Sequence, residues 1–114
     1  MERLVSYSFI FDIIAEKRQI MSVLLEFAMF PTDKGESVST YVSRIIDMID
    51  KKDMDYQLTP MGTIVECDEI DEALAIIKES YDCLKNDCNR IYSTLTFDIR
   101  KSEKGRLKNK GHLQ

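Results

Sequence analysis

Two hydrophobic rhythms alternate along this chain from Met21 onward, one repeating every second residue and the other every three to four. Between Ser22 and Phe30 the period is two, with Val23, Leu25, Phe27 and Met29 on one side and Leu24, Glu26, Ala28 and Phe30 on the other. That alternation predicts a strand, which Pro31 stops. A polar loop with Gly35 follows, and Ser37 is placed as the N-cap of a helix on which Val38, Val42, Ile45, Ile46 and Ile49 recur at helical spacing to about Lys52. Period two returns on both sides of Pro60-Met61-Gly62, so Tyr56 to Cys67 reads as a β-hairpin. An acidic start at Asp68 to Asp71 then opens a second helix, with Ile70, Ala73, Leu74, Ile77, Tyr81 and Leu84 as its apolar stripe and an end near Asn86. The last strand runs from Arg90 to Ile99, with Ile91, Leu95 and Phe97 set against Tyr92, Thr94, Thr96 and Asp98.

The order strand, helix, strand, strand, helix, strand requires right-handed crossovers that bring both helices onto one face of a single sheet. This is a ferredoxin-like α+β sandwich, βαββαβ, with an antiparallel four-stranded sheet in spatial order 4-1-3-2. The other face is left open. If Val23, Leu25, Phe27, Met29, Val65, Ile91, Leu95 and Phe97 pack under the helices, parity directs Glu26, Glu66 and Asp98 to the open face. There they join Gln57, Thr59, Tyr92, Thr94 and Thr96 and the apolar Leu24, Ala28, Phe30 and Ile64. Carboxylates in a partly apolar recess favour a small cationic ligand or a group with several N–H donors. Acids that merely face solvent would give the same pattern.

Composition narrows the partners. The 114 residues, 44% hydrophobic and 32% charged, suit one soluble domain, and a net charge of -4 argues against nucleic acid, whose phosphates call for a positive surface. Three cysteines, Cys67, Cys83 and Cys88, cannot all pair within one chain and lack zinc-knuckle spacing; with His112 the only histidine, neither a metal site nor a nucleophile-base pair is supported. Reduced cysteines and the absence of an export pattern give a cytoplasmic reading. Residues 1–20 carry an apolar run from Leu4 to Ala15 that Asp12 interrupts, too short to span a bilayer. They read as an N-terminal appendage, with an amphipathic partner-binding helix or a misplaced translation start as alternatives. Residues 21–100 form the domain, and 101–114 a basic tail. The segment around Lys34, Gly35 and Ser37 offers an anion site at a helix N-terminus, but Ser37 is better explained as an ordinary cap, and one glycine does not make a phosphate loop.

Several segments in the same order resemble the small thiamine-binding proteins. They are Glu26 and Pro31 about the end of the first strand, Ser37-Val38-Ser39-x-Tyr41-Val42, Tyr56, Met61-Gly62-Thr63-x-x-Glu66, Arg90-x-Tyr92-x-Thr94-Leu95 and Asp98-x-Arg100. The resemblance covers about residues 21 to 107. It implies a ferredoxin-like subunit that assembles with itself into dimers or tetramers and binds thiamine, or its hydroxymethylpyrimidine part, without transforming it and with no further cofactor. Glu66 is the first candidate for ligand contact, followed by Thr63, Ser39 and Asp98, with Tyr56 and Phe30 supplying ring faces. The alternative is a structural or regulatory oligomeric module without a small-molecule ligand.

Overall fold

A computed structural model describes residues 21–107. The sequence expectations for residues 1–20 and for the tail beyond 107 fall outside the described residues. Four strands and two helices follow in the expected order: β1 (Met21–Pro31), α1 (Val38–Asp50), β2 (Tyr56–Thr59), β3 (Gly62–Cys67), α2 (Ile70–Leu84) and β4 (Ile91–Lys101). The sheet order is β2-β3-β1-β4 with every neighbouring pair antiparallel, and this is the ferredoxin-like plan. Pro31 closes β1 as its last residue, where its missing N–H costs the ladder nothing inside the sheet.

Parity on β1 decides what the sheet buries. Val23, Leu25, Phe27 and Met29 pack with Val65 and Cys67 of β3 against Ile45 and Ile49 of α1 and Ala73, Ile76 and Leu84 of α2. Each large aliphatic side chain taken from water there contributes roughly 1.5–3 kcal/mol. Ser37 occupies the N-cap position of α1, but its side chain makes no capping bond. At α2 the carboxylate of Glu72 reaches back to accept the backbone N–H groups of Asp68 (3.0 Å) and Glu69 (3.1 Å), satisfying donors that a helix start leaves open.

Two expectations are corrected. The stripe that α2 buries is Ala73, Ile76, Ser80 and Leu84, whereas Ile70, Leu74 and Tyr81 are exposed. The helix is rotated because α1 flanks it as well as the sheet beneath, so the small residues Ala73 and Ser80 take the tight contact. Ser80 makes this tolerable by donating its hydroxyl to the Ile76 carbonyl at 2.7 Å. The second correction concerns β4. Leu95 and Phe97 lie on the helix side, opposite Phe27 and Leu25, yet no helix covers them, because α2 packs on β1 and β3.

Candidate functional site

The open face carries the acids that parity assigns to it. Leu24 pairs with Glu66 on one side and with Asp98 on the other, so the two carboxylates flank one leucine in a single cross-strand row. A cation fills that row, and it belongs to the chain itself. After β4 the backbone reverses through Ser102 and Gly105, both at φ 67°, and Arg106 folds back onto the sheet with only 5% of its surface exposed.

The guanidinium of Arg106 donates through Nε to the Ser22 hydroxyl (2.8 Å) and through Nη2 to the carbonyls of Ser22 (2.9 Å) and Asp98 (2.6 Å). Its Nη1 pairs with Asp98 Oδ2 at 3.0 Å. Glu66 holds the backbone of the same segment, one oxygen accepting the Arg106 N–H (3.1 Å) and the other the Leu107 N–H (3.1 Å), while Ser22 donates its hydroxyl to the first. Burial pushes the Glu66 carboxyl up. The Ser22 hydroxyl, the two backbone donors and the Arg106 charge outweigh burial and leave it below the ordinary carboxylate range. Both oxygens of Glu66 are thus committed to the chain's own C-terminal turn. Glu26, the third acid of the face, is exposed.

Thr63 lies three residues from Glu66 on β3 and faces the other way, toward the helices. It lines a cleft of about 360 Å³ where the hairpin tip meets α1. The floor is the end of β1, from Phe27 to Phe30, and the wall is Val42, Ile45 and Ile46. Leu58 to Gly62 form the rim, with Met61 almost wholly exposed. Thr59 shapes that rim: its Oγ1 accepts the N–H of Met61 (3.2 Å) and of Gly62 (3.1 Å) and donates to the Gly62 carbonyl (2.9 Å). At Gly62 a Cβ would stand 2.6 Å from the Phe27 carbonyl oxygen, so only glycine lets the hairpin close this tightly on β1. No carboxylate lines the cleft. Its polar groups are hydroxyls and backbone, and the Thr63 hydroxyl has no hydrogen-bond partner among the described residues.

The six candidate residues therefore separate. Thr63 and the backbone about Phe30 meet at the cleft, and Ser39 lies one helical turn before Val42, on the stripe that leads to it. The Phe30 ring itself is on the open face beside Tyr92, with centroids 5.7 Å apart. Glu66 and Asp98 come together around Arg106. Tyr56 is on the helix side, where its hydroxyl donates to Asp50 at 2.7 Å, a bond that pushes the phenol pKa up. Sequence reasoning missed Arg106, Ser22 and the cleft walls Val42 and Ile46. The signals for the first two were the Gly105 reversal before an apolar Leu107, and the placement of Ser22 on the same parity as Leu24.

Among the described residues no cluster of three or more histidine, cysteine or acidic side chains is arranged to hold a metal. The three cysteines are free thiols. Burial, aided by the nearby Glu72, Asp68 and Glu66, pushes the Cys67 thiol up to about 11, so it stays protonated and unreactive at neutral pH.

A family model described as thiamine-binding protein matches residues 25–113. The UPF0045 protein MJ1052 of Methanocaldococcus jannaschii is 36% identical over 88 residues, which is 77% of this chain and 87% of that protein. Its crystal structure superposes with a TM-score of 0.70 at 34% identity, covering 81% of this chain and 94% of that one. A Thermotoga maritima protein provisionally assigned to thiamine biosynthesis or salvage shares the fold, with a TM-score of 0.61 at 22% identity over 80% of this chain and 98% of that one.

Proposed function

This chain belongs to the thiamine-binding protein family, and we propose that it captures thiamine or its hydroxymethylpyrimidine part reversibly and without chemical change, in the cleft between the hairpin tip and α1. The observation that carries this reading is Thr63, whose hydroxyl has no hydrogen-bond partner among the described residues and which lines a largely apolar cleft of about 360 Å³. A flat aminopyrimidine needs apolar walls for its ring and a few donors and acceptors for its edge. Thr63 and the backbone of Gly62 supply the edge contacts in this reading, Val42, Ile46 and the end of β1 the walls, and Ser39 a hydroxyl at the mouth. Glu66, Asp98 and Tyr56 then serve by holding the sheet and its surroundings in shape. The protein works as a cytoplasmic homo-oligomer of two or four chains. No helix among the described residues is long and apolar enough to cross a membrane.

Titration calorimetry tests the proposal. Thiamine or hydroxymethylpyrimidine gives saturable heat with the wild-type protein, and Thr63→Val loses about tenfold in affinity, the value of one hydrogen bond to a bound group. Absence of saturation at millimolar concentrations of either compound removes it.

A further inference from the structure

On the open face of the sheet, burial along β1 is concentrated at one end. Ser22 and Leu24 are buried, Glu26 is exposed, and Ala28 and Phe30 are only partly covered. The cover over that end is the chain's own returning turn, whose Arg106 and Leu107 are buried with them. Leu24 and Leu107 are both shielded from water, yet neither belongs to the core beneath the helices. The turn therefore packs on the domain without sharing its core.

Its polar hold is concentrated in two residues. Arg106 bonds Ser22 and Asp98 through its guanidinium, and the backbone N–H groups of Arg106 and Leu107 donate to Glu66. The other ties are ion pairs between exposed side chains, Lys104 with Asp68 at 3.7 Å and Arg100 with Glu103 at 3.1 Å, and such pairs add little. Ser102 and Gly105, both at φ 67°, bracket the connection. Rotation at those two positions swings residues 106 and 107 off the sheet and leaves the β1–β4 ladder intact, because that ladder ends at the Met21–Lys101 pair.

We propose that residues 102–107 form a releasable strap, which swings away from the sheet as one unit while the domain stays folded, and so converts the open face from a satisfied surface into an exposed pair of carboxylates. With the strap open, Glu66 and Asp98 flank an uncovered Leu24, and the cation that neutralised them is withdrawn. The charge of Glu66 sets the balance. It faces Arg106 on the strap, Asp98 on β4 across Leu24, and the Ser22 hydroxyl on β1. Glu26 lies one row further along, opposite Ile64 and Thr96, and Asp68 beyond the end of β3 pairs with Lys104 of the strap. Burial raises the Glu66 carboxyl, while Ser22, the two strap N–H groups and Arg106 bring it below its ordinary range in the closed form. The closed strap thus binds that proton less tightly than the open one. Closure is complete above the ordinary carboxylate range and gives way as pH falls through the lower closed-state value.

Amide hydrogen exchange on the full chain tests this, read at Arg106 and Leu107 against Leu25 in the central strand β1. At neutral pH the two strap amides exchange at least about 100-fold faster than Leu25, and their protection does not change in sub-denaturing urea, because a local opening exposes little surface. Their protection falls as pH is lowered from about 6 to about 3. In Glu66→Gln it drops about tenfold at neutral pH and loses most of that pH dependence. Arg106→Lys keeps the charge without the planar fork, lowers protection in the same sense and retains the pH dependence. Circular dichroism confirms that each variant folds, and if neither does, the wild-type urea and pH series decide. Strap amides that exchange only at the rate of Leu25 and with its urea dependence overturn the strap, because the turn then opens only when the domain unfolds. Wild-type protection that ignores pH, or that persists unchanged in folded Glu66→Gln, overturns the control by Glu66.

Discussion

Glu66 and Thr63 stand on one strand, three residues apart, in surroundings that give opposite answers to the same question. Both are polar residues at least partly buried on β3. Every oxygen of Glu66 is taken, by Ser22 and by two backbone N–H groups of the C-terminal turn, and a cation of the chain's own lies beside it. Thr63 lines a cleft, and its hydroxyl has no hydrogen-bond partner among the described residues. A polar group whose bonding capacity is filled serves the fold, and one whose capacity is unused is available to a ligand. Acidity alone pointed to Glu66; satisfaction of its hydrogen bonds redirects attention to the other end of the strand.

Variants that split stability from binding test the contrast most sharply. Glu66→Ala leaves the N–H groups of Arg106 and Leu107 without acceptors and weakens the hold on a buried guanidinium, so it costs about 2 kcal/mol in denaturant unfolding. Thiamine affinity of the folded fraction stays within about twofold. A large affinity loss without loss of stability would reverse the assignment of the two regions. Arg106→Met is the complementary change and is expected to cost about 1–2 kcal/mol, because it removes four polar contacts while retaining part of the packing. Thr63→Val behaves in the opposite way. Stability is unchanged or slightly raised, and calorimetry registers a loss of about 1.4 kcal/mol in ligand binding.

The pH dependence sharpens the Glu66 side. Its carboxyl is depressed in the folded chain, so its contribution is complete above the unfolded-state value near ~4.3 and disappears as pH falls through the lower folded value. The stability gap between wild type and Glu66→Gln, read from thermal melts, therefore narrows as pH is lowered from about 6 to about 3. A gap that stays constant through that range would mean that the charge of Glu66 is not what holds the turn. The smallest effect belongs to the cleft rim. Met61→Ser, at an almost wholly exposed side chain, changes stability by no more than about 0.5 kcal/mol.

Much of this molecule was legible in its sequence because strand and helix periods are local. The alternation from Val23 to Met29 placed four side chains under the helices, and Pro60-Met61-Gly62 marked the hairpin whose tip became the cleft rim. Parity also put Glu66 and Asp98 on the open face, one on each side of Leu24. What parity could not supply was the occupant of that row. Arg106 reaches Ser22 across 84 residues of chain, and no periodic pattern encodes a contact of that separation.

Local pattern is enough to say which residues form strands and helices and which face of the sheet each strand residue takes, because backbone geometry repeats over two to four residues and carries the hydrophobic pattern with it. What covers each face is a matter of long-range packing. The rotation of α2, the uncovered row on β4 and the burial of Arg106 against Ser22 and Asp98 all depend on how separate elements compete for the same surface, and that competition is settled by packing and hydrogen-bond satisfaction across the whole domain.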